Sequence, residues 1–387
     1  MEFLGALGGA TGSLVWGYLV PFLFVLTVVV FIHELGHFLV GRWCGVGVTA
    51  FSIGFGPELL GWNDRHGTRW KISAVPLGGY VKFAGDINAT STPDPETLAR
   101  MTPAERAVSF HHQAVGKRAA IVAAGPVANF LLAILVFAGI AFIGGRYVLA
   151  PRIEVVQAGS AAERAGFQPG DLVRSINGRT IASFADMQRI ISASAGDALS
   201  VAVDRGGAPV TLSATPDIRE TETPFGKQRI GLLGLQGSKD PNDVQRVTYG
   251  PVEALGVGVH ETWYVVERTF DYLGKLIVGR ESADQLSGPI RIAQVSGQVA
   301  TMGGIAALIS LVAVLSVSIG LINLFPIPLL DGGHLLFYAI EAAIGRPLSE
   351  RAQEIGFRIG LAIVVMLMLF ATWNDIVHLS SSAGRGT

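Results

Sequence analysis

Hydrophobic positions along this chain fall into long blocks. Residues 3–32, 119–145 and 292–330 contain no Asp, Glu, Lys, Arg or His, and Ile359 to Asn374 forms a fourth apolar stretch. A hydrocarbon core of about 30 Å needs about 20 apolar residues of helix. The pattern therefore predicts four spanning helices, near 14–40, 119–143, 303–328 and 355–377. The fourth reaches full length only if Arg358 snorkels at its edge. The first block lacks a basic leading region, and its apolar run is too long for a cleaved signal. It is expected to stay as a span.

The stretches between blocks carry different patterns. Residues 41–118 hold nine Lys or Arg: Arg42, Arg65, Arg69, Lys71, Lys82, Arg100, Arg106, Lys117 and Arg118. Positive charge favours the cytoplasmic side, which puts 41–118 inside and 146–291 outside. Within 66–83, Trp70, Ile72 and Ala74 alternate with polar positions, which predicts strands joined by a Pro76–Gly79 turn. Residues 152–215 read as a small α+β domain. Ser160 is a good N-cap, Pro169-Gly170-Asp171 is turn chemistry, and Asn177-Gly178 marks a hairpin. Ser183 to Ala193 reads as helix and Leu199 to Asp204 as strand. Residues 216–245 are polar and turn-rich. From Val252 to Ile277, Leu255, Val259, Trp263, Val266 and Phe270 recur at helical spacing, which predicts an amphipathic helix on the membrane or the core. The division expected is a first membrane half (1–145), a small domain (146–215), a connecting segment (216–291) and a second membrane half (292–387).

Composition agrees with a polytopic α-helical membrane protein. Half of the 387 residues are hydrophobic and only 15% are charged, against about 25% in soluble domains. A formal net charge of −1 provides no basic field for nucleic acid. The lone cysteine, Cys44, excludes an internal disulfide framework, and ordinary packing is its expected role.

The first block ends in His33-Glu34-Leu35-Gly36-His37, an H-E-x-x-H pattern. Residues four apart lie on one helix face, so both imidazoles can bind one cation while Glu34 reaches a neighbouring water as general base. Ionisable groups at membrane depth are expensive, which makes a solvated helix end the weaker reading. Catalytic zinc takes three protein ligands and one open position. Asp331 is the first charge after 39 uncharged residues, 292–330, and Pro326 and Pro328 break the helix before it. Spans one and three run in the same direction, so His33, His37 and Asp331 are expected at the ends of those spans on one membrane face. His334 is the alternative third ligand.

At this point the residues resemble a family. His33 to His37, Gly125-Pro126-Val127-Ala128-Asn129-Phe130 and Asn323 to His334 are similar to the signature segments of the site-2 protease class of intramembrane metalloproteases, most closely its bacterial RseP-type members. Phe51 to Pro57, Pro76 to Lys82 and Ser287 to Ile290 resemble further family segments. The resemblance implies Zn2+ held by His33, His37 and Asp331, with Glu34 as catalytic base. It implies that Asn323 holds the substrate strand or the developing oxyanion, with helix–helix bonding as the other reading. Asn129 reads first as packing glue between helices. Family members place a membrane-associated β-hairpin beside the zinc, which makes Gly78, Gly79 and Tyr80 candidate substrate-binding residues. The 152–215 pattern resembles one PDZ domain, which binds a peptide or C-terminus by strand addition or acts as a steric plug. The expected partners are membrane lipids and a transmembrane substrate, such as an anti-sigma factor trimmed outside by a first protease. The expected location is the bacterial inner membrane, multi-pass, with the PDZ-like domain on the periplasmic side. A metal transporter and an inactive PDZ-bearing scaffold are the rival readings; neither accounts for Glu34.

Overall fold

The computed structural model describes residues 15–86, 100–223, 226–238, 244–281, 283 and 287–383. Residue 14, at the start of the first expected span, and the apolar residues before it lie outside the described residues. Among the described residues, four helices are long and apolar enough to cross a bilayer: Val15–Trp43, Val115–Gly144, Pro289–Asn323 and Arg351–Val377. In chain order the elements begin with helix α1 (Val20–Trp43), strands β1 (Val48–Asn63) and β2 (Arg69–Phe83), the short α2 (Pro103–Val108) and α3 (Val115–Gly144). Twelve strands in all include β3 (Arg146–Leu149), β4 (Ile153–Val156), β5 (Leu172–Ile176), β6 (Arg179–Thr180), β7 (Leu199–Arg205), β8 (Ala208–Ala214), β9 (Asp217–Thr223), β10 (Gly226–Leu232), β11 (Leu235–Gly237) and β12 (Val244–Val247) among the described residues. Helices α4 (Ala161–Arg164) and α5 (Phe184–Ala193) lie between those strands, and α6 (Pro251–Ile277), α7 (Pro289–Asn323), α8 (Asp331–Ile344) and α9 (Glu350–Ala383) follow them.

The chain divides into two compact units. The first holds the residues up to 138, 255–271 and those from 287 onward. Val25 and Val29 of α1 pack against Val295, Leu308, Leu311 and Val312 of α7. Helix α7 starts well before the expected position 303 and ends at Asn323, not 328. Both differences have local causes. At the start, Asp375 of α9 accepts the backbone N–H groups of Gly288 at 2.9 Å and Arg291 at 3.0 Å, capping the helix. The Arg291 and Asp375 side chains are both 1% exposed and face each other at 3.8 Å, so this pair is buried rather than at a helix edge. At the end, proline disfavours helical backbone at the residue before it, and Phe325 precedes Pro326. Gly304 (φ 61°, ψ −155°) puts a kink in the middle.

The hairpin of β1 and β2 is longer than the 66–83 pattern predicted. Residues 50–53 pair on one side with 79–82 and on the other with 69–72. The expected Pro-Gly turn is a bend inside β2, where pairing jumps from Phe55–Val75 to Ile53–Gly79. Phe51 and Trp70 stack at 4.4 Å on the side facing α1, in a core with Phe38, Val81, Phe83 and Ile121. The hairpin also exposes Leu59, Leu60, Leu77 and, stacked on Trp70, Trp62, an apolar surface suited to lipid.

Helix α6 has the predicted stripe, most of which faces out, while Val266 packs against Ala133, Ala313 and Val317. Leu255, Val259, Trp263 and Phe270 are exposed. The packed side is small: a side chain at Gly258 would meet Ile134 O and, at 3.1 Å, Ala138 Cβ. Small residues inward and large apolar residues outward is the packing of a helix in lipid.

The second unit contains residues 139–254 and 272–286. Its antiparallel sheet has the order β6-β5-β7-β8. Asn177 (φ 49°) and Gly178 (φ 79°) make the expected turn between β5 and β6. Ser160 and Ser183 cap α4 and α5 by accepting the N–H of Glu163 and Asp186. Residues 216–245, read as irregular, instead supply β9 to β12; β11 pairs with β4 and β12 with β3. β9 and β10 pair with each other, and only β11 and β12 have partners far along the chain. Ile153, Phe167, Val173, Ile176, Met187 and Val201 form the core.

Candidate metal centre

Helix α1 presents His33 and His37 on one face, where α3 crosses it very closely. A side chain at Gly36 would stand 2.8 Å from Ala128 Cβ. Gly125 of α3 lies directly against both imidazoles: a methyl there would be 2.5 Å from His37 Cε1 and 2.9 Å from His33 Cε1. Glycine is the one residue that leaves that space open. Pro126 has no N–H to give to the preceding turn and loosens it. In that turn Ile121 O accepts His37 Nδ1–H at 2.9 Å. One turn on, the side-chain amide of Asn129 lies 3.2 Å from His33 Nδ1.

Asp331 comes from the other end of the chain. It opens α8 rather than closing the third span, which corrects the expected placement. Residues 324–330 fold back tightly: Leu330 N–H reaches Ile327 O at 3.0 Å, and Gly333 N–H reaches Leu330 O at 3.0 Å. Gly333 would clash with Pro328 Cα at 2.5 Å if it carried a side chain. Leu329 takes φ 99°, a strained value for a residue with a side chain. This compact loop returns the carboxylate to α1. Asp331 Oδ2 stands 3.1 Å from His33 Nε2 and 3.6 Å from His37 Nε2, and the two Nε2 atoms are 3.3 Å apart.

Three atoms with lone pairs thus converge in a buried place. Ligand atoms of His33, His37 and Asp331 all lie within 4.8 Å of one another. His37 must carry its proton on Nδ1 to donate to Ile121, so its Nε2 is bare. Asp331 Oδ2 is buried without a hydrogen-bond partner. Such a cluster calls for a cation or a proton at its centre. Two imidazoles, one carboxylate and outer hydrogen bonds that fix the rings match the donor set of catalytic zinc. The residues present fit the metal.

Glu34 sits beside the cluster, not in it. A side chain at Gly79 would meet Glu34 Cγ at 3.1 Å. Strand β2 therefore runs directly past Glu34. Of the other candidates, Gly78 (φ 151°) lies under the Phe55 ring. The Tyr80 hydroxyl accepts from Lys71 Nζ at 3.2 Å, and its ring stacks on Phe55. Asn323 is the last residue of α7 and half-buried. His334 stands apart from the three ligand atoms. Its ring packs near Phe357 (5.4 Å) and lines a cavity of about 170 Å³ with His111, Arg118, Tyr338 and Glu341. Burial lowers its affinity for a proton. Gly125 and Asn129 are the residues whose place at the cluster sequence reasoning missed. The available signal was their spacing, one helical turn apart around Pro126.

Comparison with known proteins points the same way. Residues 21–367 match the model of peptidase family M50. Two relatives carry the name "Putative zinc metalloprotease". One, from Mesorhizobium japonicum, is 53% identical over 93% of this chain and 98% of its own. The other, from Agrobacterium fabrum, is 52% identical over 96% of this chain and 98% of its own. Metalloprotease MmpA of Caulobacter vibrioides is 43% identical over 92% of this chain and 95% of its own. With a match that runs from the first apolar helix to the last, the chain belongs to peptidase family M50.

Proposed function

We propose that this chain is a zinc-dependent intramembrane endopeptidase that cuts single-span membrane proteins within or near the bilayer. The observation that carries the reading is the convergence of His33 Nε2, His37 Nε2 and Asp331 Oδ2 beside Glu34. His33, His37 and Asp331 hold the metal, and Glu34 is the general base. When bound, a zinc ion supplies Lewis acidity to the peptide carbonyl and to the attacking water. Glu34 takes one proton from that water as its oxygen bonds to the carbonyl carbon. The same carboxyl then gives the proton to the amine nitrogen as the C–N bond breaks.

A helix must unwind before its peptide bond can reach such a group. Residues 79–82 of β2 lie beside Glu34 and supply a sheet edge on which an extended strand can add. Gly78, Gly79 and Tyr80 then face substrate, and Asn323 holds the strand or the oxyanion. The exposed apolar surface of the hairpin and the stripe on α6 sit in lipid. The second unit, with capped helices between antiparallel strands and β11 closing on β4, supports a PDZ-like reading. It would admit only substrates already trimmed outside, an anti-sigma factor being one example. The Lys and Arg of 41–118 favour a cytoplasmic face for the catalytic end, in a bacterial inner membrane, with the second unit outside.

The test is cleavage of single-span reporter proteins by the purified chain in proteoliposomes, with and without a zinc chelator. Chelator-sensitive cleavage that zinc restores is expected. Cleavage indifferent to chelation, or zinc uptake into the vesicle lumen without cleavage, would overturn the proposal; the second outcome describes a transporter.

A further inference from the structure

His33 needs an outer partner, and the backbone of its own helix cannot provide one. Its Nε2 faces the cluster, 3.3 Å from His37 Nε2 and 3.1 Å from Asp331 Oδ2. Its Nδ1 faces the Asn129 amide at 3.2 Å. A neutral imidazole carries one proton, and a ring that ligates through Nε2 must carry it on Nδ1. For His37 the Ile121 carbonyl enforces that arrangement. For His33 the group in the equivalent place is a side chain whose two ends differ chemically. If Asn129 turns Nδ2 toward His33, Nδ1 must accept and the proton sits on Nε2, inside the cluster. That orientation also leaves Asn129 Oδ1 buried with no hydrogen-bond partner. A half-turn of the amide about its last bond moves no other atom. It brings Oδ1 to His33 Nδ1–H and clears Nε2.

We propose that Asn129 is a positioning residue of the metal centre: its amide oxygen takes the Nδ1 proton of His33 and holds Nε2 as the bare, ligating nitrogen. The surroundings keep it there. Asn129 is fully buried. Its backbone carbonyl accepts Ser316 Oγ–H at 2.9 Å, and Gly320 approaches so closely that a side chain there would meet Asn129 Cβ at 3.1 Å. Both neighbours belong to α7, the helix that leads to Asp331. One helix contact thus aims His33 and brings in the third ligand. A role limited to packing makes no use of which amide atom faces the ring.

This proposal rests on the zinc reading, and the test separates the two. Zinc affinity is measured by chelator competition on purified full-length wild type, Asn129→Leu and Asn129→Asp. All three side chains have four heavy atoms branched at Cγ, leucine being the bulkiest. Leucine keeps packing and removes the acceptor; aspartate keeps an acceptor and adds a buried charge. Positioning predicts that Asn129→Leu loses about 10–100-fold in zinc affinity, while Asn129→Asp stays near wild type. Packing alone predicts the reverse order, because lipid-depth charge is costly. Nitrogen NMR of histidine-labelled, metal-free wild type gives a second readout that needs no variant at position 129. His33, assigned by loss of its signal in His33→Gln, should carry its proton on Nδ1. Wild-type zinc affinity in Asn129→Leu, weaker binding by Asp than by Leu, or an Nε2 proton on His33 would each overturn the proposal. Wild-type protein that takes up no zinc would overturn the metal reading, and this inference with it.

Discussion

Replacing Gly125 by alanine is the sharpest test of how the cluster is held. The added methyl would stand 2.5 Å from His37 Cε1 and 2.9 Å from His33 Cε1. Ordinary contact begins at 3.4 Å, so His37 must retreat by roughly 0.9 Å and His33 by roughly 0.5 Å. Neither ring is free to do so. His37 is tied to Ile121 O and His33 lies against Asn129. Metal–ligand distances tolerate only about 0.2 Å. A misplacement near 1 Å at a reacting centre costs about 10²-fold in rate. The expected result is at least a 100-fold fall in cleavage and a comparable loss of zinc affinity. Fold stability should fall only modestly, since an overpacking cost of about 1–3 kcal/mol is partly offset by the roughly 1 kcal/mol by which alanine is favoured over glycine in a helix. Zinc content by mass spectrometry, reporter cleavage and thermal unfolding of the metal-free protein measure the three quantities. A Gly125→Ala protein that binds zinc and cleaves like wild type would show that α3 does not press on the imidazoles.

Glu34→Gln should keep its zinc and lose cleavage by about 10²–10⁴-fold, whereas Asp331→Ala should lose zinc; full zinc occupancy and activity in Asp331→Ala would hand the third position to another residue. Gly79→Ala puts a methyl 3.1 Å from Glu34 Cγ and 2.8 Å from Ser52 O. It should lower the cleavage rate about tenfold with zinc affinity unchanged, and loss of zinc instead would contradict the separation of Glu34 from the ligands. In the second unit, burial pushes the Asp171 carboxyl up, but Arg205 at 2.7 Å and the Gln168 N–H at 2.9 Å outweigh it and hold it below its usual range. The pair therefore stabilises that unit fully above the unfolded carboxyl value of about 3.9, and the contribution is lost as acid carries the pH down through the folded value. Asp171→Asn should cost about 2–3 kcal/mol at neutral pH and flatten the acid limb, read by limited proteolysis of the full chain against pH; an unchanged acid profile would refute it.

The apolar blocks made the four long helices legible, because charge-free runs at bilayer length have few other uses. The H-E-x-x-H spacing and the first charge after a long apolar run made His33, His37 and Asp331 candidates for one place. Helix ends were harder to read. Sequence does not reveal that Arg291 and Asp375, far apart in the chain, bury against each other at the start of α7. Two of the strands of 217–247, β11 and β12, escaped notice because their partners, β4 and β3, lie far back in the chain, and β9 and β10, which pair with each other, because their polar run carries no apolar alternation. Asn129 was read as glue because an asparagine in an apolar helix serves either purpose. What separates the two is the distance from its amide to His33, which depends on how α3 leans on α1.

The carboxylate of Asp331 is contributed by the loop after α7, whereas both imidazoles come from α1. During synthesis, a chain that has emerged only as far as its small domain already contains the pair of histidines and Glu34. On the proposed ligand set it has no competent centre, because the last donor has yet to leave the ribosome. Peptide-bond cleavage would then begin only after the loop following α7 has been made.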